Sequence, residues 1–171
     1  VSNCFNRVFA DYDSWRGFLQ AKRSKRIKSP EALAKSMTQF DSMFGKAMFD
    51  QFKANLSCQQ FSYQVDGNEV EGYVIKPKLV KDDLPVLVFN RGGNGRYGSV
   101  VFGAMMHNLF PIAEKGFVII GSQYRHDSQD RKILRDEFGG EDVKDVVELL
   151  KFIPHIQGAD NNRVGMFGHS R

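Results

Sequence analysis

Apolar positions change their period twice along this chain of 171 residues. After Ser29, the residues Leu33, Met37, Phe40, Phe44, Met48 and Phe52 recur every three or four positions. That spacing predicts one continuous helical stripe, with Ser29 as N-cap and Pro30 at the first helical position, where its missing N–H costs nothing. A shorter amphipathic helix is predicted from Asp11 to about Gln20. The Met/Phe stripe is expected to be packing surface rather than a ligand groove. From Cys58 the period becomes two: Phe61, Tyr63 and Val65, then Val70, Tyr73 and Ile75, separated by the turn residues Asp66-Gly67-Asn68. This predicts an antiparallel hairpin.

Short unbroken apolar runs follow. Pro85 to Phe89, Phe117 to Gly121 and Arg163 to Phe167 are predicted to be strands buried on both faces, as in parallel sheets. Helices are predicted between them, from about Val100 to Lys115 with Gly116 as the stop, and from about Gly140 to Ile153 before Pro154. Strand, helix, strand, helix, strand is the order of a doubly wound α/β sheet with right-handed crossovers. The chain thus divides into a helical segment, 1–56, and an α/β part, 57–171.

Composition is that of a globular protein, with 42% hydrophobic and 26% charged residues, and no apolar run is long enough to span a membrane. The first residue is Val1 and no signal peptide is visible, so either a leader has been removed or the chain begins inside a longer one. Residues 1–56 hold ten Lys/Arg and five Asp/Glu, against fourteen and fifteen in the remainder. The excess lies in Lys22, Arg23, Lys25, Arg26 and Lys28 and is expected to be a solvated link between helices. No aromatic residue interleaves with it to stack bases, so no nucleic-acid partner is expected. Cys4 and Cys58 set no disulfide framework and have no metal-ligand spacing. They are expected to be buried thiols, a Cys4–Cys58 bridge being the alternative. Neither a metal nor a cofactor is expected.

The candidate chemistry lies at the third apolar run, which leads into Gly168-His169-Ser170-Arg171. Gly-x-Ser is common by itself. Its setting makes it specific, because a nucleophile elbow needs a buried strand turning sharply at the sheet's C-terminal edge, with small flanking residues. Ser170 is therefore the candidate nucleophile. A glycine-rich loop, Arg91-Gly92-Gly93-Asn94-Gly95, follows an earlier strand, where backbone N–H groups can face a developing oxyanion. The same stretch matches Gly93-x-Gly95-x-x-Gly98, which leaves a phosphate-binding loop as an alternative.

Taken in order, Gly92-Gly93, Ser122-Gln123-Tyr124-Arg125, Asp136 to Val146 and Asn162 to Arg171 resemble the prolyl-oligopeptidase type of serine hydrolase, within the α/β-hydrolase superfamily. The resemblance covers about residues 85–171. It implies the N-terminal half of an α/β-hydrolase sheet and a peptide or ester as substrate, cleaved through an acyl-enzyme at Ser170. One oxyanion donor would be the backbone N–H of Arg171. The second would come from the Gly92-Gly93 backbone or from the Arg91 guanidinium, since Arg91 stands where many members carry an aromatic residue. A carboxylesterase or a non-catalytic relative on the same fold are the alternatives.

The base and carboxylate that activate such a serine follow it in this fold, so both are expected beyond Arg171 and this chain alone is expected to be inactive. His107, His126, His155 and His169 precede Ser170; His126 is the one expected near the cleft. Asp142 and Asp145 are expected to be structural at a helix start. Arg125 is expected to hold a carboxylate such as Asp136. A cap over the site is the role suggested for residues 1–56.

Overall fold

A computed structural model describes residues 1–93, 97–125, 137 and 139–170 of the chain. The hairpin forms as its alternation predicts. Strands β2 (Leu56–Val65) and β3 (Asn68–Pro77) pair antiparallel over their full length. The two-residue turn places both Asp66 (φ 50°) and Gly67 (φ 78°) in the left-handed region, which matches the twist of the flanking strands. A two-residue strand β1 (Ser2–Asn3) adds to the outer side of β2.

The three apolar runs become β4 (Leu84–Asn90), β5 (Val118–Ser122) and β6 (Ala159–Gly168). The six strands stand in the order β1-β2-β3-β5-β4-β6, with β4 parallel to both β5 and β6. Alternate residues feed two cores. Val86, Val88, Val118 and Ile120 face Tyr63, Leu149 and Ile153 on one side. Ile75 and Ile119 face the aromatic cluster of the N-terminal helices on the other. β6 departs from expectation: Val164, Met166 and Phe167 are 43%, 63% and 43% exposed. Among the described residues β6 stands at one end of the strand order and pairs with β4 alone, so its other edge has no strand beside it.

The long helical stripe is divided. Helix α1 (Tyr12–Ser24) is capped by the Asp11 carboxylate, which accepts from the Ser14 N–H at 2.8 Å. Helix α2 (Pro30–Met43) has the predicted Ser29 cap, but the chain leaves helical geometry at Phe44 and restarts at Gly45 as α3 (Lys46–Asn55). The break lets Phe49, absent from the predicted stripe, join Met37, Phe40 and Phe52 in the core. Trp15 sits among Phe9, Phe40, Phe44, Phe49 and Phe102, with ring centroids 4.9 to 6.5 Å apart. The stripe is therefore packing, as expected. Lys22 and Arg23 occupy the last turn of α1, where positive charge meets the helix dipole favourably, and Arg23 donates to the Ser36 carbonyl at 2.7 Å.

Cys4 and Cys58 correct the expectation of two thiols: they form a disulfide. Sequence distance hid it, since 54 residues separate them; the pairing of β1 with β2 brings them together, and the Cys4 N–H donates to the Cys58 carbonyl at 2.9 Å.

The predicted 100–115 helix is α4 (Phe102–Ala104), a π turn (Met105–Leu109) and α5 (Phe110–Glu114). Pro111 has no N–H to give to the carbonyl four residues back, and the Phe110 N–H reaches to Met105, five back. Gly116 ends the element with φ +95°. Helix α6 (Val143–Leu150) covers the opposite face. Among the described residues no helix is long and apolar enough to cross a membrane.

Candidate active site

Two strand ends meet at the C-terminal edge of the sheet. Asn90, last residue of β4, is opposite Gly168, last residue of β6. Beyond Gly168 the chain turns sharply, and Ser170 is held at φ 81°. Positive φ is uncommon for a residue with a Cβ and costs of order 1–3 kcal/mol. Only a position over-determined by its surroundings keeps it. Here the neighbour is Gly92: a Cβ placed on it would lie 2.7 Å from the His169 carbonyl oxygen and 2.9 Å from Ser170 Cβ. Glycine at 92 lets the two loops touch, which accounts for a small residue there.

Gly93 and Gly98 have φ +82° and +83°. A Cβ on Gly93 would sit 2.1 Å from the Tyr97 carbonyl oxygen, and one on Gly98 would sit 2.3 Å from that of Gly92. These glycines close the loop on itself. Asn94 and Gly95 lie outside the described residues, as does Arg171, the expected oxyanion donor.

Arg91 is 1% exposed and its guanidinium is directed at carbonyls. Nε and NH2 donate to the Gln123 oxygen at 2.9 and 2.5 Å, and NH1 donates to the Gly92 and Tyr97 oxygens at 3.1 Å each. The group lies 4.7 Å from the Tyr124 ring centroid, and the Tyr124 hydroxyl donates to the Arg91 carbonyl at 3.2 Å. Tyr124 takes φ 59°. The Gln123 side chain pairs with both backbone groups of Val100, at 2.9 Å each. Arg91, Gln123 and Tyr124 thus lock the loop after β4 to the loop after β5.

Arg125 and Asp145, 1% and 0% exposed, form a buried pair. The carboxylate accepts from Arg125 NH2 at 2.7 Å, from Nε at 3.1 Å and from the Arg125 N–H at 2.7 Å. Hydrogen bonding to Asp145 holds the guanidinium even higher than its ordinary pKa. Asp145 fills the role for which Asp136 was expected; Asp136 lies outside the described residues. Asp142 accepts from the Gly139 and Gly140 N–H groups at 3.3 and 3.0 Å, fixing the entry to α6.

An open cavity of about 700 Å³ lies beside this turn, with Ser170, His169, Gly92 and Gly93 among its lining. Its described lining comes wholly from residues 89–109 and 167–170. No residue of 1–56 is among that described lining, and the segment packs against the element at 102–114, where a Cβ on Gly103 would lie 3.7 Å from Trp15 Cζ2 and 3.8 Å from Phe44 Cζ. His107 and His155 are exposed outside the cavity, and His126 lies outside the described residues. Leu109 and Asn108, which also line the cavity, had a sequence signal only in Pro111, a breaker two or three residues on.

No protein-family model and no curated protein sequence matches the chain. Solved structures do. An acylaminoacyl peptidase from Pyrococcus horikoshii is 28% identical over 73% of this chain and 21% of its own length, with TM-score 0.55. The esterase Est22 is 19% identical over 87% of this chain and 45% of its own, with TM-score 0.55. A bacterial heroin esterase is 24% identical over 77% and 40%, with TM-score 0.51. The chain spans about a fifth of the peptidase and less than half of either esterase. The six-stranded mixed sheet, its flanking helices and these neighbours together give the chain the α/β-hydrolase fold.

Proposed function

We propose that the chain carries the nucleophile and part of the oxyanion hole of a serine hydrolase. Ser170 Oγ attacks the carbonyl carbon of an ester or amide, the bond to the leaving alcohol or amine breaks, and the serine proton passes to that leaving group. Water then releases the acid from the acyl-enzyme. The observation that supports this best is Ser170 at φ 81° just beyond a parallel strand, in contact with Gly92. A strained serine at that place is the geometry of a nucleophile elbow.

The second oxyanion donor is a backbone N–H of Gly92-Gly93 in preference to the Arg91 guanidinium, which is spent on carbonyls of its own and the neighbouring loop. The Arg171 N–H takes the first place by chain position. The base and its orienting carboxylate follow the serine in the chain order of this fold. The substrate is a peptide amide or an ester, the amide reading being supported by the 28% identity to the peptidase. The phosphate-loop reading is weakened by Gly93 and Gly98, which fold the loop against itself.

The test is the intact mass of the native protein before and after a fluorophosphonate, beside Ser170→Ala. One adduct, absent in the variant, is the expected result. No adduct on the native protein overturns the reading.

A further inference from the structure

The peptide planes of the loop after β4 are held from their carbonyl ends. The Tyr124 hydroxyl donates at 3.2 Å to the Arg91 oxygen, the carbonyl end of the peptide that carries the Gly92 N–H. The Arg91 guanidinium donates at 3.1 Å to the Gly92 oxygen and so holds the next peptide, the one that carries the Gly93 N–H. A peptide is planar and trans, so its oxygen and its N–H point opposite ways. A donor fixed on the oxygen therefore fixes where the N–H is aimed. It also polarises the group, which makes the N–H a stronger donor.

Tyr124 is itself locked in place. It is 3% exposed and keeps φ 59°, a conformation that is strained for a residue with a large side chain. Its N–H donates to Ser122 Oγ at 2.9 Å. Tyr63 gives its single hydroxyl hydrogen to the Asp145 carbonyl at 2.8 Å, so Ser122 donates to the Tyr63 oxygen, 2.7 Å away. Strands β2 and β5 and helix α6 thus converge on one phenol, whose hydroxyl ends on the loop that touches Ser170. Tyr124 is not among the described lining of the cavity, whereas Gly92 is. Among the described residues no group of the chain accepts from the Gly92 N–H.

We propose that Tyr124 is a positioning residue of the oxyanion hole: its hydroxyl aims the Gly92 N–H, which is the second donor, while the Arg91 guanidinium fixes the Gly93 peptide beside it. The proposal rests on the reading of Ser170 as nucleophile. Such a role has a kinetic mark that packing alone lacks. A donor aimed at a developing negative charge acts in the transition state, so its loss slows the chemical step and leaves prior binding as it was.

The test uses the native protein and a fluorophosphonate, whose phosphonyl oxygen gains negative charge as the serine attacks. The maximal labelling rate, kinact, and the half-saturating concentration, KI, are measured separately. Tyr124→Phe keeps the ring and removes only the hydroxyl. It is expected to lower kinact about tenfold, less than the roughly hundredfold or more that deletion of a whole donor costs, with KI within about twofold of native. Tyr73→Phe is the control. Its hydroxyl is buried in the same sheet and has no hydrogen-bond partner among the described residues, so its loss is expected to leave both constants unchanged. A kinact within about twofold of native in Tyr124→Phe, equal losses in the two variants, or a change in KI alone overturns the proposal. Failure of the native protein to label at Ser170 overturns the nucleophile reading and the proposal with it.

Discussion

A methyl group on Gly92 would sit 2.9 Å from Ser170 Cβ and 2.7 Å from the His169 carbonyl oxygen. Both are closer than real Cβ contacts allow, and the second partner is backbone, which cannot rotate aside. Gly92→Ala must therefore push the two loops apart. The expected outcome is a drop of about tenfold or more in the rate of fluorophosphonate labelling at Ser170, since an ångström-scale misplacement costs orders of magnitude in rate. The fold should persist by circular dichroism. Labelling at the native rate would show that the loops do not cooperate.

Arg125 and Asp145 make a second pair with a measurable cost. Removing one partner leaves the other charged and buried, which costs about 3–5 kcal/mol. Asp145→Ala should accordingly lower the urea midpoint much further than the double replacement Arg125→Met with Asp145→Leu. Equal midpoints would place the two groups in water.

The Cys4–Cys58 bridge closes a loop across 54 positions. Cross-links of that span restrict the unfolded chain and stabilise by about 2–5 kcal/mol. Cys4→Ser with Cys58→Ser, or reduction, is expected to lower Tm by several degrees. Mass spectrometry of the non-reduced peptides should find the two cysteines joined, and free thiols in the purified native protein would remove this contribution.

Tyr12 gives a pH signature. Burial first, and its hydrogen bond to Asp41 at 2.9 Å second, push its hydroxyl up to about 12. A raised folded-state pKa means the neutral phenol is favoured. The stabilisation is fully present below pH 10, the ordinary tyrosine value, and is lost as pH rises through about 12. Asp41 behaves in the opposite sense: hydrogen bonding to Arg16 lowers its carboxyl pKa, so that contribution is present above the ordinary carboxylate pKa and fades as acid protonates it. Absorbance at 295 nm under alkali should show a late step near pH 12 that shrinks by one tyrosine in Tyr12→Phe. An unchanged step would assign it to other residues.

What could be read in the chain was what depends on neighbours in sequence. The alternation in 61–75 set the hairpin and its turn, and the apolar runs marked β4, β5 and β6. Gly168-x-Ser170 marked the strand end that the fold brings to Gly92. What could not be read depends on partners far along the chain. Cys4 meets Cys58 only once β1 lies on β2. Arg125 finds Asp145 because α6 packs over β5. The division between α2 and α3 is set by Phe49 turning into a core that a helical period cannot see. Val164 and Met166 are exposed where, among the described residues, β6 has β4 alone beside it, a relation that periodicity does not encode.

That relation also bears on time. A strand at the border of a sheet is held by one ladder, and such borders open at lower free energy than the interior. Among the described residues β6 pairs with β4 alone, with a register shift between Pro85 and Val86. Among the described residues β5 has a ladder on each side and β6 has one, so in a chain of these 171 residues the amides of 164–168 should exchange with deuterium before those of β5.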